Sequence, residues 1–285
     1  MKSLLKLALF ALVLVVGSCN ILGEEGDDPS QTAEFEVVEF LPAPGQFVNE
    51  DYTATTMTAA CEYAQKSLEQ RGLVSLGGFG GYIVVRFVEP IKNGGGYNFG
   101  IYGNSYATSS EPGIVWVAQD INGNGVADDE WFELYGSESD TALRGYSITY
   151  ARTDDETKIA WRDSEGESGV IERNSAHKQN YFPAWVEEQE YTLTGTLLPD
   201  NAEWNEAKGE WDLLPLGWGY ADNFSSIDCV ERGLNLFRIA TARTADGESV
   251  NLQYIDFVKV QSAVNAVHLP IGETSTEVSG FIRYM

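Results

Sequence analysis

The sequence predicts an all-β protein, a β-sandwich or jelly roll with one helix near the start of the folded region. From about residue 34 onward, short alternating runs rich in Val, Ile, Tyr and Trp are separated by Gly, Asn, Asp and Pro. Only one segment has helical periodicity, and no internal repeat is visible. About 250 residues suit one large β domain, so we expect a single domain over residues 34–285. An eight-stranded barrel is the alternative, because periodicity does not distinguish a closed sheet from an open one.

The amino terminus has the features of an export signal. Lys2 and Lys6 precede an apolar run at residues 7–16, and the small residues Gly17 and Ser18 directly precede Cys19. The run is shorter than the roughly 20 residues that a membrane-spanning helix needs. We predict a signal peptide over residues 1–18 whose last residues resemble a lipobox, with Cys19 carrying the lipid. An ordinary signal peptide with an incidental cysteine is the alternative.

Residues 19–33 are polar, acidic and without periodicity, which predicts a flexible tether between the lipid and the domain. Several acyl chains would hold such a protein on a membrane without spanning it. The formal net charge of -25 makes nucleic acid an improbable partner, because its phosphates would be repelled. The same charge suits divalent cations, or serves only to keep a surface protein soluble.

The predicted helix covers residues 55–70, where apolar residues recur at helical spacing on the face that includes Ala60, Cys61 and Ala64. This spacing places Cys61 on the buried face as a core residue. Cys229 is the other cysteine of the domain, and whether the two form a disulfide is left open by the sequence. Strands are predicted over residues 81–88, 99–102, 113–119, 130–135, 145–150, 191–197, 236–242 and 254–261.

The segment between two of these strands predicts a calcium-binding hairpin loop. Side-chain oxygens stand at its positions 1, 3, 5 and 9, and a glycine at position 6 permits the sharp turn that such loops make. Position 7 would contribute a backbone carbonyl. The predicted ligands of a structural Ca²⁺ are therefore Asp120, Asn122, Asn124, Val126 and Asp128.

Position 12 of this loop is Trp131 and not the bidentate Glu of an EF-hand, and no helices flank it. The loop is more similar to the short acidic calcium hairpins of β-rich extracellular proteins. Asp129, Glu130 or Glu133 would complete the coordination shell. The alternative is an ordinary Asn-Gly hairpin turn with solvated acids.

Aromatic residues in glycine-rich or polar stretches predict a surface for stacking a sugar or another flat ligand. We select Trp185, Trp211, Trp218 and Tyr220 as the ligand-binding residues. The alternative for each is an ordinary core position, where aromatics of large β domains usually lie.

Signatures of catalysis are weak. His177 and His268 lie in no metal-ligand spacing, and the glycine clusters near residues 77–81 and 94–96 lack the Lys-Ser/Thr of a phosphate loop. Paired carboxylates of a glycoside hydrolase are defined by their separation in space, which the sequence does not give. We therefore expect non-catalytic binding, with a glycan-active hydrolase or lyase and a purely adhesive protein as alternatives.

Several stretches together resemble a family of bacterial cell-surface lipoproteins. The resemblance extends over nearly the whole chain after Cys19, and its middle third is the most specific part. It is carried by residues 41–48, 75–83, 99–104, 111–115, 120–134, 218–222 and 255–261.

Members of that family occur beside TonB-dependent outer-membrane transporters, including those for corrinoids such as vitamin B12. The resemblance implies a lipid-anchored protein, exposed on the outer membrane, that captures a nutrient and passes it to such a transporter. It places a corrinoid slightly ahead of a glycan as the ligand.

Overall fold

The computed structural model describes residues 34–230 and 233–284. The predicted signal peptide over residues 1–18, the predicted lipidation site Cys19 and the predicted tether over residues 19–33 lie outside these ranges. Ala33–Met285 forms one compact unit. In the described ranges, no helix is both long enough and apolar enough to cross a bilayer.

Within residues 34–230 and 233–284 the protein is all-β with one α-helix, as the sequence predicts. The helix α1 spans Met57–Glu69. The strands of the described ranges are β1 (Phe35–Leu41), β2 (Val74–Ser75), β3 (Tyr82–Lys92), β4 (Phe99–Tyr102), β5 (Gly113–Ala118), β6 (Trp131–Leu134), β7 (Leu143–Arg152), β8 (Lys158–Asp163), β9 (Ser168–Glu172), β10 (Glu190–Leu197), β11 (Ala202–Asn205), β12 (Glu210–Leu213), β13 (Cys229–Val230), β14 (Leu234–Phe237), β15 (Ala242–Arg243), β16 (Tyr254–Ser262), β17 (Val267–His268), β18 (Gly272–Glu273), β19 (Glu277–Val278) and β20 (Gly280–Arg283).

The largest sheet has six strands in the order β1-β3-β16-β5-β6-β15, and every neighbouring pair is antiparallel. Two four-stranded sheets have the orders β10-β7-β8-β9 and β13-β14-β4-β20. Short two-stranded pairs complete the fold. None of the sheets in the described ranges closes on itself, so the barrel alternative is wrong.

The main core lies under one face of the six-stranded sheet. Val85 of β3 and Val258 of β16 belong to the same buried cluster as Ile101 of β4 and Phe281 of β20. The cluster also includes the buried face of α1, formed by Ala60, Ala64 and Leu68. A second cluster lies around the β10-β7-β8-β9 sheet.

The helix confirms the predicted segment, and its start has a local cause. Thr56 is extended, and its Oγ1 accepts a hydrogen bond of 3.1 Å from the backbone N–H of Ala59, which caps the first turn. Cys61 is half-buried against the core, and burial raises the pKa of its thiol to about 11. Cys61 and Cys229 are both free thiols, so the disulfide left open by the sequence does not form.

The predicted strands are confirmed with shifts of a few residues at their ends, apart from the one over residues 236–242. There β14 ends at Phe237, a 3-10 turn spans Ile239–Thr241, and β15 begins at Ala242. Asn98 Oδ1 accepts a 2.8 Å hydrogen bond from the Ile239 N–H, which stabilises the turn by a contact distant in sequence. Several strands are absent from the sequence-based list, among them β1, β8, β9, β11 and β12.

Candidate functional site

The predicted calcium hairpin connects β5 to β6, and its side chains are turned toward the inside of the loop. The Asp120 carboxylate accepts backbone hydrogen bonds from Asn124 at 3.1 Å and from Gly125 at 2.9 Å. Asn122 Oδ1 accepts from the Asn124 N–H at 2.9 Å. Gly125 has a φ of 74°, a left-handed conformation that glycine adopts without steric cost.

The second half of the loop folds back onto the first. The Asp128 carboxylate accepts hydrogen bonds from the side-chain amides of Asn122 at 3.0 Å and Asn124 at 3.1 Å. Asp256 of β16 accepts the Asp120 N–H at 2.7 Å, which brings a further carboxylate to the loop. Four of the five predicted ligands thus converge through their side chains, and the oxygen-rich donor set fits Ca²⁺. The fifth, Val126, has an exposed side chain and donates its N–H to Asn124 Oδ1 at 2.7 Å.

The four predicted ligand-binding aromatics lie in different surroundings. Trp185 is half-buried between the two largest core clusters, with its ring 6.0 Å from that of Phe40. Trp211 on β12 lies 5.4 Å from Trp204 and 4.5 Å from His268, measured between ring centroids. The aromatics therefore do not form the single contact surface that the sequence analysis expected.

Tyr220 is a core residue. Its side chain is fully buried, and its hydroxyl accepts a 2.7 Å hydrogen bond from the Glu138 N–H. A Cβ atom added at Gly136 would lie only 2.6 Å from this ring, so the Gly136 backbone packs closely against Tyr220. This placement contradicts the expectation that Tyr220 contacts a ligand.

Trp218 lies in the wall of a cavity of about 230 Å³, which we call the Trp218 pocket. The ring of Tyr135 is 6.0 Å from the Trp218 ring, measured between centroids, and both line the cavity. Tyr97 forms another part of the wall, and the guanidinium of Arg238 lies 4.4 Å from the centroid of its ring. Aromatic and cationic side chains thus surround one small cavity.

The Trp218 pocket also contains a buried carboxylate. Asp228 is 3% exposed, and its Oδ2 accepts the Gly219 N–H at 2.6 Å. Its Oδ1 has no hydrogen-bond partner among the described residues. Burial raises the pKa of Asp228, partly offset by these hydrogen bonds and by the charge of Arg238. An unpaired buried acceptor is costly, so this oxygen is suited to a donor group supplied by a ligand.

Three other carboxylates meet near β19. One carboxylate oxygen from each of Glu111, Asp222 and Glu277 lies within 4.8 Å of the other two. Asp222 accepts the N–H groups of Asn104 and Glu277, each at 3.0 Å, and has a φ of 51°. Burial is the largest cause that raises the pKa of all three groups, and repulsion from neighbouring carboxylates adds to it for Glu111 and Glu277. For Asp222, hydrogen bonds from backbone N–H groups oppose this rise.

A polar face on the central sheet was not predicted from the sequence. Along β16, Lys259 and Gln261 alternate with Val258 and Val260, whose side chains lie in the main core. Lys259 and Gln261 both line a cavity of about 380 Å³ on the opposite face of the sheet. The alternation was visible in the sequence, but only the register brings these residues beside their neighbours on other strands.

Comparison of the chain with protein-family models gave no match. Comparison with curated proteins also gave no match.

Proposed function

We propose that the protein is a lipid-anchored, non-catalytic binding protein of the bacterial outer membrane that captures a nutrient for TonB-dependent uptake. The observation that carries the binding part is the Trp218 pocket, which Trp218, Tyr135 and Tyr97 line together with Asp228, whose Oδ1 has no hydrogen-bond partner among the described residues. Ligand sites are commonly apolar cavities with a few polar groups that fix orientation. The lipid anchor at Cys19 and the transporter partner rest on the sequence alone.

The chemistry of the pocket favours a ligand with a flat or ring-shaped apolar face and a hydrogen-bond donor. The rings of Trp218 and Tyr135 supply the stacking surface, and Asp228 accepts the donor. A cavity of about 230 Å³ accommodates one sugar ring more readily than a corrin ring. A corrinoid, which the resemblance favours, would insert only a peripheral amide arm and lie across the opening.

We further propose that the hairpin over residues 120–128 binds a structural Ca²⁺ and that the sheets pack as a β-sandwich. The ligands are Asp120, Asn122, Asn124 and Asp128 through side chains and Val126 through its carbonyl. Their inward hydrogen bonds support a loop already wrapped around one position.

The capture function is tested by isothermal titration of the purified protein with cyanocobalamin and with a panel of neutral oligosaccharides. Trp218→Phe removes the indole while keeping an aromatic ring, and we expect it to weaken binding about tenfold. Trp204→Phe is the matched control, because Trp204 is exposed and packs against Trp211, outside the pocket. Capture at this pocket would be rejected if wild type bound neither cyanocobalamin nor any of the oligosaccharides. It would also be rejected if Trp218→Phe and Trp204→Phe bound the ligand with equal affinity.

A second candidate function is glycoside hydrolysis, which the Glu111, Asp222 and Glu277 cluster favours. Glu111 and Glu277 line a cavity of about 420 Å³, and their carboxyl oxygens are close enough for acid and nucleophile roles. That chemistry needs one ionised carboxylate, and burial raises the pKa of all three groups, to about 8 for Glu111 and about 7 for Asp222. Reducing-end release from a polysaccharide, lost in Glu277→Gln, would establish hydrolysis in place of capture.

A further inference from the structure

The polar face of the six-stranded sheet holds a lysine without an acidic partner. The register places Lys259 of β16 between Val84 of β3 and Trp116 of β5, and Trp116 is followed by Glu133 of β6. Side chains that are directly opposite on antiparallel strands lie on the same face of a sheet. The face is thus built from four strands that are far apart in sequence.

Aromatic rings surround the Lys259 ammonium group. Its Nζ lies 4.9 Å from the ring centroid of Trp116, 4.9 Å from that of Trp131 and 5.9 Å from that of Tyr82. A cation is attracted to the faces of such rings, which fixes the ammonium on the sheet. Burial lowers the pKa of Lys259 to about 8, so the amine is still mostly protonated near pH 7.

The acids near Lys259 have other partners. No carboxylate oxygen in the described ranges lies within 4.0 Å of its Nζ, and the ammonium donates no hydrogen bond there. Glu39 accepts the hydroxyl of Tyr82 at 3.2 Å. Glu133 accepts the hydroxyl of Thr196 and lies 4.0 Å from the Arg144 guanidinium. The largely buried ammonium therefore has hydrogen-bonding capacity left for an anion.

The cavity beside Lys259 has further groups that suit a polyhydroxylated ligand. Gln261 is 3% exposed, and its Nε2 donates to the carbonyls of Gly80 and Thr194, which fixes the amide. Its Oε1 has no donor in the described part of the chain. Exposed Thr192 and Thr194 line the same cavity from β10, and Trp131 forms an aromatic wall.

We propose that this cavity is a second binding site, separate from the Trp218 pocket, for a carboxylate-bearing sugar such as a hexuronic acid. The ligand carboxylate pairs with the Lys259 ammonium, and the sugar ring packs against Trp131. Charge complementarity carries the assignment, because the Lys259 ammonium has no carboxylate of the described residues within 4.0 Å, although Glu39 lines the same cavity and its charge acts on the lysine from farther away. The volume of about 380 Å³ is sufficient for one or two sugar rings.

The hairpin over residues 120–128 adjoins this site. Its Ala127 packs in the same small cluster as Tyr82 and Trp131, two of the rings around the ammonium. A well-packed hairpin therefore stabilises the positions of Tyr82 and Trp131 in the wall of the site.

The test is isothermal titration of the purified protein with galacturonate and glucuronate, each compared with galactose and glucose as neutral counterparts. We expect the acids to bind at least tenfold tighter than the neutral sugars. Lys259→Met keeps the apolar stem against the rings and should abolish this preference, whereas Lys259→Arg keeps the charge and should retain part of it. Circular dichroism and melting curves confirm that both variants fold.

Trp218→Phe separates this site from the proposed capture pocket, because Trp218 does not line the cavity beside Lys259, so it should leave the affinity for galacturonate and glucuronate unchanged. Equal affinity for acid and neutral sugars, no binding of either acid, or an unchanged preference in folded Lys259→Met would overturn the proposal. Loss of acid binding in Trp218→Phe with retention in Lys259→Met would place the acid in the Trp218 pocket and also overturn it.

Discussion

Buried Glu273 should make the protein lose stability as the pH rises. Glu273 is 4% exposed, and its Oε1 accepts the Gln46 N–H at 2.6 Å. Burial raises its pKa from the ordinary 4.5 to about 7. The folded state therefore holds a proton that the unfolded state releases between these pH values, so stability is greatest below pH 4.5 and falls as the pH rises through 7.

The magnitude follows from the pKa difference. At about 1.36 kcal/mol for each pKa unit, the rise from 4.5 to about 7 corresponds to a loss of about 3 kcal/mol between pH 4.5 and pH 8. Glu273→Gln keeps an oxygen that accepts the Gln46 N–H and removes the ionisation. The variant should therefore be similar to wild type near pH 4.5 and more stable by about 3 kcal/mol at pH 8.

The measurement is urea unfolding at several pH values, followed by tryptophan fluorescence, with chelator present so that divalent cations do not vary. Glu62→Gln is the matched control, because it removes the same charge from the exposed face of α1. A stability difference between Glu273→Gln and wild type that does not change with pH would refute the reasoning. So would a variant less stable than wild type at pH 8.

Three further predictions concern the calcium hairpin, a tight backbone contact and the helix cap. Chelator should lower the melting temperature of wild type and of the exposed-loop control Asp154→Ala, but not that of Asp120→Ala. A melting temperature of wild type that does not change with Ca²⁺ would contradict the metal assignment. Gly81→Ala should lower the free energy of unfolding by about 3 kcal/mol or prevent folding, because the added Cβ would lie 1.8 Å from the Leu76 carbonyl oxygen. The control Gly94→Ala places a Cβ that meets nothing within 4 Å, so it should leave the stability in urea unfolding unchanged. Thr56→Ala should cost about 1 kcal/mol by removing the cap of α1, whereas Thr58→Ala should not; equal stability of both in the same assay would contradict the cap.

The sequence predicted much of the fold because its signals are local. Alternation of side chains identified strands such as β4 and β16, and the spacing of Ala60, Ala64 and Leu68 identified the helix. The hairpin over residues 120–128 was also visible, since all its predicted ligands lie in one short segment. Local patterns suffice where partners are neighbours in sequence.

Local patterns were not sufficient for the interruption after Phe237. The 3-10 turn over Ile239–Thr241 depends on a hydrogen bond from the Ile239 N–H to Asn98 Oδ1, and Asn98 is 141 residues away in the chain. The same limitation explains Tyr220, which lies in a glycine-rich stretch typical of a loop yet is fully buried. Burial depends on what packs against a residue, and distant parts of the chain supply those contacts.

The sequence by itself determined the all-β class, the helix, the acidic composition of the hairpin over residues 120–128 and the strong negative charge. Only the tertiary structure decided that Trp218 lines a cavity with Asp228 and that Lys259 lies among Trp116, Trp131 and Tyr82. Both sites join residues from several strands or loops, and their positions depend on sheet order and register. Those are set by the summed packing of the whole core, which no short segment of the chain encodes.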